Sequence, residues 1–320
     1  MEDGTRKEAL IKHWILDVLG ELDVRAPGLA GHFLRSSHER QQVISACIAC
    51  RSHEPSKADL DILQHRSHDE MLSHFVSRPT TGFRPALRQS TQAYHPRVYY
   101  RMLAHLLRRH SPSERKRFSH LRDLDLGMLM RWRSAPISLR TPTVLSLFHD
   151  REDVRHFVEA RRILIENGID AERIDDDLRG LNNRRSLPKL IEKWTSDLRL
   201  SPSPYCSDVL VPVQTVGELR GLGRYLRSCS ASFSFNSLAE RSAFLRTIDR
   251  DETIGMVHLE LEGGEWLICE IVGKANRSHG RTVMESVYNE LKGAGFIVCR
   301  ERGPSVWGKV QRFAGLPYIT

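Results

Sequence analysis

The chain has 320 residues, 28% of them charged and 40% hydrophobic, and carries a formal net charge of +8. This is the composition of a soluble globular protein long enough for two domains. No run approaches the roughly 18 apolar residues of a membrane span, the start Met1-Glu-Asp-Gly-Thr-Arg-Lys-Glu lacks the apolar core of a secretory signal, and six cysteines are too sparse for a disulfide framework; a cytoplasmic protein with no membrane partner is expected.

In chain order, Leu10, Ile11, Trp14, Ile15, Val18 and Leu19 recur at helical spacing, with Gly20 interrupting or ending the helix. Ala26-Pro-Gly-Leu-Ala-Gly31 reads as a turn. Helices are expected over Glu39–Arg51 and Asp59–Val76, then a break across residues 77–96 marked by Pro79, Gly82, Pro85 and Pro96. Arg97–Arg109 reads as a helix. Ser111-Pro-Ser-Glu114 has the order of a capped helix start. Arg133–Pro142 reads as a connector, Arg151–Asn167 as a helix capped by Asp150 and stopped by Gly168, and Ser186–Leu198 as another.

Leu200-Ser-Pro-Ser-Pro-Tyr205 cannot continue a helix and marks a boundary between a helical, basic region (1–200) and a small α+β domain (205–320). Beyond it, Val209–Val213 is strand-like, Val216–Ser228 helical, and Ile254–Leu261 and Leu267–Val272 form an antiparallel hairpin across Gly263-Gly264. A helix over Arg281–Gly293 and a strand over Phe296–Cys299 close the pattern. The fold class is therefore expected to be α+β.

Of the 48 basic residues, 39 are arginine. Arginine's planar fork suits bidentate contact with phosphate; a high-GC genome would inflate its number equally. The distribution is more specific. Arg84, Arg88, Arg97, Arg101, Arg108, Arg109, Arg115, Lys116, Arg117 and Arg122 share one window in which Glu114 is the lone acid. His95, His105, His110 and His120 lie in it, interleaved with Tyr94, Tyr99, Tyr100 and Phe118. Such a window suits a polyanion surface, and aromatics among bases suit stacking on single strands. The alternative is a solvated helix face whose aromatics point into the core.

The C-terminal region supplies the candidate chemistry. Cys229 follows a helix whose last turn bears Arg224 and Arg227, and nearby cations favour a thiolate, although the carbonyl oxygens of a helix C-terminus oppose it. His258 and Glu260, two apart on a strand, share a face, so Cys229, His258 and Glu260 offer a nucleophile, a base and an orienting acid. Cysteine is equally a common buried apolar residue. Glu260, Glu270 and Lys274 invite comparison with metal-dependent nucleases, which would need a magnesium or manganese ion, but Glu270 and Lys274 are four apart rather than two. Gly273-Lys274-Ala-Asn276-Arg277 is a candidate anion loop, followed by His279-Gly-Arg281 at a helix start; Asn276 equally suits a plain turn. Cys47-Ile-Ala-Cys50 with His53 has a zinc-compatible spacing, with two buried thiols as the better-supported reading. The sequence fixes no cofactor.

The order Leu226-Arg-Ser-Cys229, Met256-Val-His-Leu-Glu-Leu261 and Trp266-Leu-Ile-Cys-Glu-Ile-Val-Gly273-Lys-Ala-Asn276-Arg277 resembles the C-terminal domain of the PcfJ-like family over about residues 215–290. Phe233 stands where many relatives carry tyrosine, and Glu270 where many carry glutamine. The resemblance implies a bacterial mobile-element context, conjugation or DNA processing, and no particular reaction. Together with the basic window it leads to the expectation of a nucleic-acid-binding accessory protein. Its contacts are expected from Arg97, Arg101, Arg108, Arg109, Arg115, Lys116, Arg117, Lys274, Asn276 and Arg277, with other proteins of a mobile-element complex as further partners. The alternatives are an enzyme centred on Cys229 or on Glu260 and Glu270, and a protein-interaction adaptor.

Overall fold

The computed structural model describes residues 14–76, 82–90, 94–118, 121, 124–274 and 281–298. The chain divides into two compact units, residues 1–154 and 155–320. The proline-rich stretch 200–205 lies inside the second.

The first unit is helical: α1 (Trp14–Asp23), α2 (Leu29–Arg35), α3 (His38–Cys50), α4 (Lys57–His65), α5 (His68–Phe75), α6 (Phe83–Arg88), α7 (Arg97–Arg109), α8 (Pro112–Phe118), α9 (Leu126–Ser134) and α10 (Pro142–Ser146). Its centre is α3, in which every residue from Gln42 to Ala49 is buried, and α2, α5, α6 and α7 pack around it. Leu10, Ile11 and the candidate bases Arg122 and His120 lie outside the described residues.

Several boundaries differ from the sequence reading. Gly20 does not end α1, because a Cβ-less residue in open space costs a helix only about 1 kcal/mol. The expected helix Asp59–Val76 is two helices. Ser67 starts the second with a capping box in which its hydroxyl accepts from the Glu70 amide while the Glu70 carboxylate accepts from the Ser67 amide. The break at 77–96 contains α6, entered through left-handed Gly82 (φ 104°). The connector Arg133–Pro142 holds the end of α9, a 3₁₀ turn at Ile137–Leu139 and the start of α10. The capping box of Ser111 and Glu114 is present as expected, with the Glu114 amide 3.3 Å from Ser111 Oγ.

Helix α11 (Arg151–Glu166) begins in the last residues of the first unit and continues into the second, which contains α12 (Ala171–Arg179), α13 (Leu187–Thr195), β1 (Leu210–Pro212), α14 (Val216–Leu226), α15 (Ser234–Leu238), β2 (Ser242–Asp249), β3 (Glu252–Glu262), β4 (Glu265–Gly273), α16 (Arg281–Gly293) and β5 (Ile297–Val298). Asp150 caps α11, its carboxylate accepting from the Asp153 amide at 2.8 Å, and left-handed Gly168 (φ 89°) ends it. The strands form one sheet in the order β1-β2-β3-β4-β5, antiparallel except for β5, which joins β4 in parallel. Gly263 and Gly264 both have positive φ, as the tight β3–β4 hairpin requires. The protein is thus α+β, a helical N-terminal region followed by a mixed sheet with its helices.

Period-2 alternation sorts the sheet's two faces. Ala243, Leu245, Val257, Leu259, Ile268 and Ile271 form one core with Val287 and Leu291 of α16 and with Phe296. Phe244 and His258, cross-strand partners, belong to the opposite face.

Candidate nucleic-acid interface

Helix α7 carries four of the ten basic residues of the window. Pro96 sets its extended entry (φ −62°, ψ 152°), and Tyr99, Tyr100, Leu103, Ala104, Leu106 and Leu107 bury one face. Tyr100 donates its hydroxyl hydrogen to Gln42 Oε1 of α3 at 2.8 Å. The opposite face carries Arg97, Arg101, Arg108 and Arg109, all exposed, with half-buried His105 between them. Positions 97, 101, 105 and 108 follow i, i+4, i+8 and i+11, a single stripe about 16 Å long at 1.5 Å per residue.

These arginines are held lightly. Arg97 lies over the Trp14 ring, 4.9 Å from its centroid. Arg101 Nε donates to the Ala49 carbonyl at 2.7 Å, and Arg108 Nε to the Ala104 carbonyl at 3.2 Å. Among the described residues none of Arg97, Arg101, Arg108 and Arg109 is paired with a carboxylate. Other arginines of the protein are: Arg84 with Glu39 at 2.7 Å, Arg140 with Glu114 at 2.6 Å, Arg161 with Asp175 at 2.9 Å.

Glu114, the lone acid of the window, does not neutralise the stripe. It is 9% exposed and engaged by Arg140, by the Ser111 amide and hydroxyl and by His110 Nδ1 at 3.4 Å. Burial pushes its carboxyl up, but these partners outweigh it and hold it below the usual range. His110 Nε2 accepts from Trp132 Nε1 at 2.8 Å, which leaves Nδ1 as the protonated nitrogen facing Glu114.

The stripe's positive field registers on its neighbours. Burial lowers the His105 pKa, and Arg109, Arg133 and Arg108 lower it further. Arg133 is exposed on α9, which packs against α7. The sequence reading missed it because it placed Arg133 in a connector; Asp125, whose carboxylate accepts from the Met128 amide at 2.6 Å, was the available N-cap signal for α9. Burial raises the Cys50 thiol to about 11, against the opposing pull of Arg108 and Arg101.

The remaining candidates of the window are divided. Arg115 is half-buried and Lys116 exposed on α8, and the side chain of Arg117 lies outside the described residues. The interleaved aromatics are not stacking platforms, which corrects that part of the expectation. Tyr99 and Tyr100 are fully buried and Phe118 nearly so, because each occupies the core-facing side of an amphipathic helix. Tyr94 is stacked on Phe33.

In the second unit, the sheet brings three candidate catalytic residues onto adjacent strands. His258 is the register partner of Glu270 on β4, and its Nε2 stands 3.5 Å from Glu260 Oε1. The imidazole is 1% exposed, stacked on Phe244 at 4.5 Å and 5° and covered by Phe233 at 4.5 Å. Cys229 is exposed, at the start of the 3₁₀ turn Ser230–Phe233. The thiol and the imidazole are thus in different environments, and no hydrogen bond joins them. Proton transfer between them would need hydrogen-bond reach.

Lys274 Nζ lies 5.5 Å from the ring centroid of Tyr225, and Tyr225 is 51% exposed on the last turn of α14. Arg224 and Arg227 are exposed on either side of it in sequence, and Arg227 takes the left-handed cap position (φ 54°). Asn276, Arg277 and His279 lie outside the described residues, as does the side chain of Arg281.

Cys47 is fully buried and Cys50 half-buried. His53 turns instead towards Asp59, with Nε2 3.9 Å from Oδ2. Among the described residues no three His, Cys, Asp or Glu side chains converge as a metal site. No described helix is long and apolar enough to cross a membrane. Compared with protein-family models, curated proteins and solved structures, the chain matches none.

Proposed function

We propose that this protein binds nucleic acid through its phosphates, using the arginine stripe of α7 together with Arg133. The observation that carries this reading is the clustering, on α7 and the adjacent α9, of Arg97, Arg101, Arg108, Arg109 and Arg133, none of which has a carboxylate partner among the described residues, whereas Arg84, Arg140 and Arg161 are ion-paired. An array of unneutralised guanidinium groups on one helix face concentrates positive potential where a polyanion can meet it, and the planar fork suits phosphate oxygens.

In this reading the protein is an accessory component of a bacterial mobile element, acting in conjugation or DNA processing. That context rests on the residues shared with the PcfJ-like pattern, Leu226-Arg-Ser-Cys229 and Trp266, Gly273, Asn276 and Arg277. Lys274, with Arg224 and Arg227, offers a second, smaller basic surface.

The test is binding to labelled DNA and RNA over a salt series. A phosphate-driven complex loses affinity log-linearly with salt. Arg109→Glu with Arg133→Glu is expected to weaken binding strongly and to reduce the salt slope by about two contacts' worth, with an unchanged circular dichroism spectrum. A folded double variant that binds as the parent does would place the site elsewhere.

A further inference from the structure

Resting on the nucleic-acid reading above, we infer that the ligand of the α7 surface is a duplex, recognised by its phosphates and not by its bases. The first observation is what the stripe lacks. Single-strand binders pair a basic groove with aromatic side chains on which successive bases stack. Here, of the aromatics that alternate with the bases along the sequence, Tyr99, Tyr100 and Phe118 are in the core, and half-buried Tyr94 is stacked on Phe33. Trp14, the partly exposed ring beside the stripe, is covered by the guanidinium of Arg97. Among the described residues, the exposed face of α7 offers charge without a stacking platform.

The second observation is geometric. Arg97, Arg101, His105 and Arg108 sit on one rigid helix whose inner face is anchored to α3 by Tyr100 and Arg101. A fixed array of charges gains most from a partner whose own charges are already fixed. A duplex presents one phosphate per about 1.7 Å of axis, twice the density of a single strand, and needs no ordering on binding. A flexible strand must be ordered, and among the described residues no exposed aromatic on this face stacks its bases to offset that cost.

The third is chemical. Reading base edges in a groove takes Asn, Gln or arginine forks directed at base edges. On the exposed face of α7 the polar side chains are arginines and one histidine. Their contacts are expected to be phosphate contacts, tolerant of sequence.

The experiment measures the full-length protein by fluorescence anisotropy against a DNA duplex of about 20 base pairs, the matching RNA duplex, and each separated strand, from about 50 to about 200 mM salt. The expected result is duplex binding on the order of tenfold tighter than single-strand binding at equal salt, with a log–log slope of about −4.5 for five arginines. A second duplex of scrambled sequence is expected to bind equally. DNA and RNA duplexes binding alike would support recognition by phosphate alone; a DNA-only or RNA-only complex would overturn it. Single strands bound as tightly as duplexes, or a strong sequence preference, would overturn the inference while leaving the nucleic-acid function standing. Absence of binding to every probe would remove both.

Discussion

Arg101 reaches from α7 to the last turn of α3, where its Nε donates to the Ala49 carbonyl oxygen across 2.7 Å. That carbonyl is one of the four left without an intrahelical partner at a helix C-terminus, and a cation there also meets the negative end of the helix dipole. One residue of the basic stripe therefore has a structural task as well as an exposed charge.

Arg101→Ala is expected to lower stability by about 1 kcal/mol, from the lost charge-assisted hydrogen bond and dipole contact. Arg109→Ala, which breaks no described contact, is expected to stay within about 0.5 kcal/mol of the parent. Urea denaturation of both variants measures the difference, and equal stabilities would mean that the Ala49 contact contributes nothing net.

The buried carboxylate of Asp59, 5% exposed, accepts from His74 Nε2 and from the Ser56 amide at 2.7 Å. Burial pushes its pKa up, but the hydrogen bonds from His74 and Ser56 outweigh it and hold the pKa at about 2, below the unperturbed 3.8. The unfolded chain then binds this proton more readily than the folded one. The contribution to stability is present above pH 3.8 and is lost as the pH falls through about 2. Denaturation midpoints of the parent and of Asp59→Asn, compared across that interval, check this: the parent's loss on acidification is expected to exceed the variant's. Identical slopes would show that Asp59 is not the group responsible.

Gly217 occupies the first turn of α14, where a Cβ would stand 2.8 Å from the Ser196 carbonyl oxygen. The Gly217 amide donates to that same oxygen at 2.9 Å. Helix propensity alone would make Gly217→Ala stabilising by about 1 kcal/mol. The close approach to backbone is expected to reverse the sign, with a loss of about 1–3 kcal/mol from overpacking. A higher thermal midpoint for the variant would show that α14 shifts freely.

Arg250 and Asp251 form the two-residue turn between β2 and β3 with φ of 48° and 65°. The geometry matches the strand twist, but a side chain in the left-handed region costs about 1 kcal/mol or more. Asp251→Gly is expected to stabilise the protein by up to about 1 kcal/mol, read from the shift of the urea midpoint. A decrease would indicate that the Asp251 side chain stabilises the turn.

Most of the longer amphipathic helices, the Ser111–Glu114 capping box and the β3–β4 hairpin are legible in the sequence, since each is set by spacing over a few residues. Ser111 with Glu114, Asp150, Gly168 and Gly263-Gly264 act as their residue types require. Strand β2 escaped notice because Ser242-Ala-Phe-Leu-Arg alternates only weakly; both of its faces are covered, so Ala243 through Leu245 are buried without interruption. Helix α9, and Arg133 with it, was hidden in a stretch read as a connector.

The sequence by itself determined that Arg97, Arg101, Arg108 and Arg109 lie on one helix, and that Glu114 is the lone acid among them. Tertiary structure alone decided that Tyr99 and Tyr100 face the core, that Glu114 is buried against Arg140, and that His258 is enclosed between Phe233 and Phe244 while Cys229 stays at the surface. The physical reason is reach. Helical periodicity and capping are local, acting over three or four residues, whereas burial and ion pairing depend on partners 26 residues away, as for Arg140 and Glu114, or 25 away, as for Phe233 and His258. No local pattern encodes which distant side chain arrives.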